Sequence, residues 1–192
     1  MSLLKKLKKI LQEEKPHYPF NYSIPNLWNL FNHQSITKLK NGEELINPYD
    51  FLSDLIERVL LTNNDTNERT SLSLKKGLSD KSWLKEAVIY SMMIRTSTSW
   101  DHDRNGYLDE NNIYHLKETG TFIKTLMLLP LLKEMGVNVI YLLPISKYSL
   151  KNKKGELGSP YSVSDFFKLD ENLSDPIVAG KLTLEEQFAL LI

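Results

Sequence analysis

The sequence predicts an α/β fold, with a mainly helical N-terminal extension leading into a strand–helix–strand unit whose strands run parallel. Three observations carry that expectation. Residues 88–94, Val-Ile-Tyr-Ser-Met-Met-Ile, form a short apolar run rich in strand-favouring side chains. Residues 137–143, Val-Asn-Val-Ile-Tyr-Leu-Leu, are apolar on both faces, as a parallel strand covered on both sides would be. Between them lies a helical stretch, and a strand, helix and parallel strand close as a right-handed crossover.

Taken in order, the chain divides near residue 86. Leu3, Leu4, Leu7, Ile10 and Leu11 recur at helical spacing with lysines opposite, which marks an amphipathic N-terminal helix. Docking on its own domain or on a partner is the favoured reading of that helix, with a membrane surface as the alternative. Pro16, Pro19, Pro25 and Pro48 break the segment 1–86 into short pieces. Phe51, Leu52, Leu55, Ile56 and Val59 share one face of a second helix, opened by Pro48 or Asp50. Residues 62–73 are rich in Asn, Thr and Ser and read as a loop or linker. Trp28, Phe31 and Trp83 are expected to be core aromatics, not a stacking platform.

In the segment 87–192, Thr121 is placed to cap a helix through Met135, and Gly136 supplies its left-handed stop. Pro130 is expected to kink or restart that helix. Thr183 and Glu186 form a capping box that opens a last helix.

Composition narrows the function. The 192 residues are 41% hydrophobic and 25% charged with zero formal net charge, so nothing points to a nucleic-acid partner. Cysteine is absent, which removes disulfides, thiolate catalysis and Cys-ligated zinc. His17, His33, His102 and His115 lack metal-ligand spacing and are expected at the surface or in loops. No apolar run approaches the ~18 residues of a membrane span, and the N-terminus lacks a signal-like apolar core. A cytoplasmic location is expected, and the three Asn-x-Ser/Thr sequons carry little meaning there.

The chemistry concentrates in residues 101–109. Asp101, Asp103, Asn105 and Asp109 occupy positions one, three, five and nine of an oxygen-rich loop, with Gly106 at position six. The backbone carbonyl of Tyr107 completes a ring suited to a hard cation such as calcium. A calcium-sensor hand would require a bidentate Glu at position twelve, where Asn112 stands, and a helix where residues 88–94 read as strand. An acidic turn that binds nothing is the plain alternative; four correctly spaced oxygen side chains and the glycine weigh against it. The loop follows a predicted strand, at the carboxyl end where parallel folds place their chemistry.

Three blocks together resemble the catalytic barrel of the α-amylase superfamily of glycosidases and transglycosidases. They are Ala87-Val88-Ile89-Tyr90 with the 101–109 loop, the stretch 131–145 ending Val-Ile-Tyr-Leu-Leu-Pro-Ile, and Gly158-Ser159-Pro160-Tyr161-Ser162-Val163-Ser164-Asp165-Phe166. The resemblance covers residues 87–192. It implies the first βαβ portion of a TIM (β/α)8 barrel, truncated, since the whole unit takes about 250 residues. It also implies a structural Ca2+ on Asp101, Asp103, Asn105, Tyr107 and Asp109, and a sugar-stacking role for Tyr161. The substrate class would be an α-glucan oligosaccharide or polysaccharide. Ser162 stands where the family has an Asp, which weakens a polar contact at that subsite.

The resemblance assigns no catalytic residue in this chain, because the family's nucleophile, acid and third carboxylate follow later strands. A retaining glycosidase needs two carboxylates about 5 Å apart across the bond. Glu110, Glu118, Glu171 and Asp175 read as solvated charges, and Asp165 as a loop-orienting residue. The expected protein is therefore an N-terminal fragment of an α-amylase-like enzyme, inactive alone. The alternatives are a stand-alone calcium-dependent module binding sugar or protein, and one half of a split enzyme with a complementing chain. The lysine-bearing loop at 148–157 is expected to be solvated, with contact to substrate as the alternative.

Overall fold

The structure is a computed structural model that describes residues 2–29, 37–39, 41, 43–57, 82–155 and 157–192. The end of the second predicted helix, the 62–73 linker, Phe31 and His33 lie outside those residues. Among the described residues the fold mixes helices with three small sheets, and none closes into a barrel.

Helix α1 (Leu3–Glu14) is capped by the Ser2 hydroxyl and buries Leu4, Leu7, Ile10 and Leu11. Its apolar stripe packs on α2 (Pro48–Leu55) and on the turn Pro176–Val178, so the docking reading holds and the lipid-facing one does not. Among the described residues no helix is long and apolar enough to cross a membrane.

The N-terminal segment is less helical than its sequence suggests. Strands β1 (Tyr22–Ile24), β2 (Thr37–Lys38) and β3 (Glu44–Ile46) form an antiparallel sheet in the order β1-β3-β2. At two or three residues each, these strands are too short for a period-two pattern to register. Trp28 is buried in the core, as expected, and Trp83 is half-buried.

Asn47 joins this sheet to α2. Its Oδ1 accepts from the N–H groups of Tyr49 (3.0 Å) and Asp50 (3.4 Å), while its Nδ2 donates to the carbonyls of Tyr18 (3.0 Å) and Phe20 (3.2 Å). Asn47→Ala is expected to lower stability by about 1–2 kcal/mol in urea unfolding, because it removes a helix cap and two further bonds. Asn47→Asp should restore only the share due to the cap.

Downstream, β4 (Ile89–Met92) and β5 (Val139–Leu142) pair in parallel, with Ile89 opposite Val139 and Met92 opposite Leu142. A one-turn helix, α3 (Ile94–Ser97), takes the last residue of the predicted first strand. Helix α4 (Phe122–Glu134) crosses between the strands. Thr121 caps it by accepting from the Lys124 N–H at 3.0 Å, and Gly136 follows at a φ of 80°. The helix runs on through Pro130 without the predicted restart.

The expectation that β5 is covered on both sides is corrected. Tyr90, Met92, Ile140 and Leu142 turn towards the core, but on the other face Ile89 is 56% and Tyr141 61% exposed. Among the described residues a single helix layer packs against this two-stranded sheet, so the apolar residues of its second face are exposed.

Strands β6 (Ser146–Tyr148) and β7 (Val163–Leu169) make an irregular antiparallel hairpin after β5. The connection at 149–155 is largely exposed, consistent with a solvated lysine loop. Helix α5 (Leu184–Ala189) opens with the predicted capping box: the Thr183 hydroxyl accepts from the Glu186 N–H, and the Glu186 carboxylate from the Thr183 N–H. One buried cluster takes Leu7, Leu11, Tyr22 and Leu52 from the early elements together with Met92, Phe122, Leu126 and Val178 from the later ones.

Candidate functional site

The oxygen-rich loop leaves the carboxyl end of β4 through α3 and returns to α4, and its own side chains shape it. Asp101 accepts from the N–H groups of Asn105 (3.1 Å) and Gly106 (2.8 Å), and Asp103 accepts from that of Asn105 at 3.1 Å. Asn105 accepts from the Tyr107 N–H at 2.8 Å. Such side-chain-to-backbone bonds are what short polar residues offer a turn. Gly106 sits at a φ of 89°, a conformation glycine adopts without the clash a Cβ would bring.

Two of the predicted ligands meet a carboxylate outside the predicted set. Asp101 and Asp103 meet a third carboxylate, Glu118, with one oxygen of each lying within 4.8 Å of the others. Asn105 instead donates to Asp109 at 2.7 Å. Asn112, at position twelve, is a buried turn-former: its Oδ1 accepts from the N–H groups of Tyr114 and Leu116.

Glu118 is the residue that sequence reasoning missed. It was expected as a solvated charge and is fully buried. Its Oε1 accepts from the His102 N–H (2.8 Å), the Asp103 N–H (3.1 Å) and Asn112 Nδ2 (2.7 Å), and its Oε2 from the Asp109 N–H (3.0 Å). Four donors replace the water that a buried carboxylate loses. Its backbone adds two more ties, receiving the Trp100 N–H and donating to Asp109. No local pattern separates it from the exposed Glu110, so burial was the only signal.

His102 lies in the loop, as expected, but its ring is buried, at 1% exposed. Its ring lies 4.4 Å from that of Tyr22, and its Nδ1 is 2.8 Å from the Ser23 carbonyl, which assigns the hydrogen to Nδ1. Burial, aided by the nearby Lys124 ammonium, pushes its pKa well below the ordinary value and keeps the ring neutral. The Ser23 N–H donates to the His102 carbonyl at 2.9 Å, and Trp100 Nε1 donates to the Ser23 hydroxyl at 3.2 Å. Strand β1 thus braces the acidic loop from behind.

Beneath the loop, Lys124 is 4% exposed and its Nζ donates to the Thr119 carbonyl at 3.2 Å. Burial pushes the ammonium down to about 8, against the pull of Asp175 and Glu118. Asp175, also expected to be solvated, is 1% exposed; it accepts from the Thr121 hydroxyl (2.5 Å) and the Ile177 N–H (3.0 Å). Glu171 is exposed as expected, with Lys147 at 3.2 Å.

Tyr161 sits on the turn before β7, 62% exposed. The Ser159 hydroxyl accepts its N–H at 3.3 Å, and the Ser159 carbonyl accepts that of Ser162 at 3.0 Å. Asp165 does orient backbone, accepting from the Phe167 N–H at 2.9 Å. The loop and the Tyr161 turn therefore both lie beyond the carboxyl ends of the parallel pair. The loop offers three converging carboxylates for a hard cation, and the turn offers an open aromatic face. No protein-family model matches the chain, and no curated protein matches it in sequence.

Proposed function

We propose that this chain is the opening βαβ portion of an α-amylase-type (β/α)8 barrel that hydrolyses or transfers α-glucosidic linkages. The observation that carries the reading is the parallel register of β4 and β5 across α4, with the acidic loop beyond one strand and the Tyr161 turn beyond the other. The uncovered face bearing Ile89 and Tyr141 fits the inner wall of a barrel whose other strands would cover it.

The all-oxygen donor set of the loop fits calcium. Asp101, Asp103 and Glu118 would hold the ion, which supplies fixed positive charge and no step of the reaction. Tyr161 presents its ring to a glucose unit. No residue of this chain is proposed as nucleophile or acid; those carboxylates belong to the segments that complete the barrel, on the same polypeptide or a complementing one.

Two measurements test this. Calcium at a hundredfold excess over its Kd should raise stability by about 2.7 kcal/mol, read as a higher thermal midpoint than in EDTA. The double variant Asp101→Asn, Asp103→Asn should lose that gain. Maltohexaose should shift the Tyr161 ring resonances, and Tyr161→Ala should abolish binding. Binding without any hydrolysis under addition of the missing strands would turn the reading towards a stand-alone sugar-binding module. Absence of both calcium and glucan effects would refute it.

A further inference from the structure

We propose that Arg95 is a positioning residue that sets the place of the Tyr161 turn, a role that rests on reading Tyr161 as a sugar-stacking ring. Arg95 lies in α3, just past the carboxyl end of β4, and is 6% exposed. Its Nη1 donates to the carbonyls of Leu157 (2.9 Å) and Gly158 (3.2 Å), and its Nη2 to Asp170 Oδ2 at 3.0 Å. Its guanidinium carbon stands 4.7 Å from the centre of the Tyr148 ring. A planar fork with fixed donors can meet two carbonyls, a carboxylate and a ring face at once; an ammonium cannot.

Each partner bears on the turn. Leu157 and Gly158 lead directly into Ser159-Pro160-Tyr161. Gly158 has a φ of 64° and backs onto Tyr148 so closely that an added Cβ would lie 2.8 Å from that ring. Ser162, on the far side of Tyr161, accepts the Ser149 N–H, one residue beyond Tyr148. Asp170 is held in turn by the N–H and Nδ2 of Asn172, whose Nδ2 also reaches the Tyr148 hydroxyl at 3.3 Å. Both ends of the turn are thus referred to Tyr148 and Arg95.

The backbone of Arg95 connects the other half of the site. Its carbonyl accepts the Gly120 N–H at 2.8 Å, where the acidic loop rejoins α4. One residue therefore spaces the sugar-facing turn from the acidic loop. If Arg95 served only as half of a buried ion pair, neither carbonyl bond nor the Tyr148 stack would be required of it.

The test uses the full chain and reads amide hydrogen exchange residue by residue. The variant Arg95→Met with Asp170→Asn removes both charges, so no buried charge is left unpaired. The amides of Ser149 and Ser162 should exchange about tenfold faster or more, while Leu143, bonded to the Met92 carbonyl beside β4, keeps its wild-type rate. Arg95→Lys keeps the charge opposite Asp170 but loses the fork, and should show the same turn-confined change with smaller size. Unchanged turn amides in either folded variant would overturn the inference, and so would equal acceleration at Leu143, which would make Arg95 a general staple. Maltohexaose affinity then separates the two ideas. A loss of about tenfold in the Arg95 variants, at unchanged helical circular dichroism, supports positioning. Wild-type affinity in Tyr161→Ala would sink the stacking role of Tyr161, while the exchange data still decide what Arg95 does.

Discussion

Glu118→Ala is expected to cost about 3–5 kcal/mol in urea unfolding, among the largest single losses in this chain. The alanine leaves the N–H groups of His102, Asp103 and Asp109 and the Asn112 amide facing a buried gap. Water that entered the gap could satisfy some of these donors, but not in the geometry that folds the loop. Glu118→Gln should lose roughly half as much, because the amide oxygen keeps the three donors of Oε1 and sets an NH2 against the Asp109 N–H. Glu171→Ala is the matched control: its side chain is 79% exposed, and the change should stay within about 0.5 kcal/mol. Equal losses for Glu118 and Glu171 would show that the buried carboxylate does not organise the loop. Glu118→Ala should also abolish the calcium-dependent rise in thermal midpoint.

Stability should climb between pH 8 and 10 because of Lys124. Burial holds its folded pKa at about 8, below the ordinary 10.5. Below pH 8 the ammonium is charged in both states, so the net cost of keeping it charged in the folded protein, about 3 kcal/mol, weighs on stability. Between the two values the folded state has lost the proton that the unfolded state still binds, so stability rises with pH. Above pH 10 the trend reverses. Burial raises the pKa values of Tyr18, Tyr22 and Tyr49, so these phenols ionise first in the unfolded chain. A maximum near pH 10 is the expected outcome of urea titrations across this range. Lys124→Met should remove the rise and leave the alkaline fall; a variant that kept the rise would assign it to another group.

The features legible in the sequence are those whose partners lie close along the chain. Thr121 caps the helix at Phe122, Thr183 and Glu186 close their box, and Gly136 ends α4, each through bonds spanning three or four residues. The turn at 101–109 belongs to the same class, since Asp101 bonds the backbone of Asn105 and Gly106. Within it Asn105 donates to Asp109, while Asp101 and Asp103 face Glu118, which the loop spacing does not reach.

By itself, the sequence determined that Thr121 and Thr183 open helices, where the acidic loop turns, and that a strand lies within residues 137–143. These depend on local backbone preference and on side chains reaching the nearest N–H groups. Tertiary structure alone decided which acids are buried, and it separated Glu118 and Asp175 from Glu110 and Glu171, which have the same chemistry. It also placed His102 against Ser23, 79 residues away, and aimed Arg95 at Asp170, 75 residues away. The reason is that burial is a property of the assembled layers. A carboxylate or an imidazole carries the same pattern in sequence whether β1 and α4 later close over it or leave it in water.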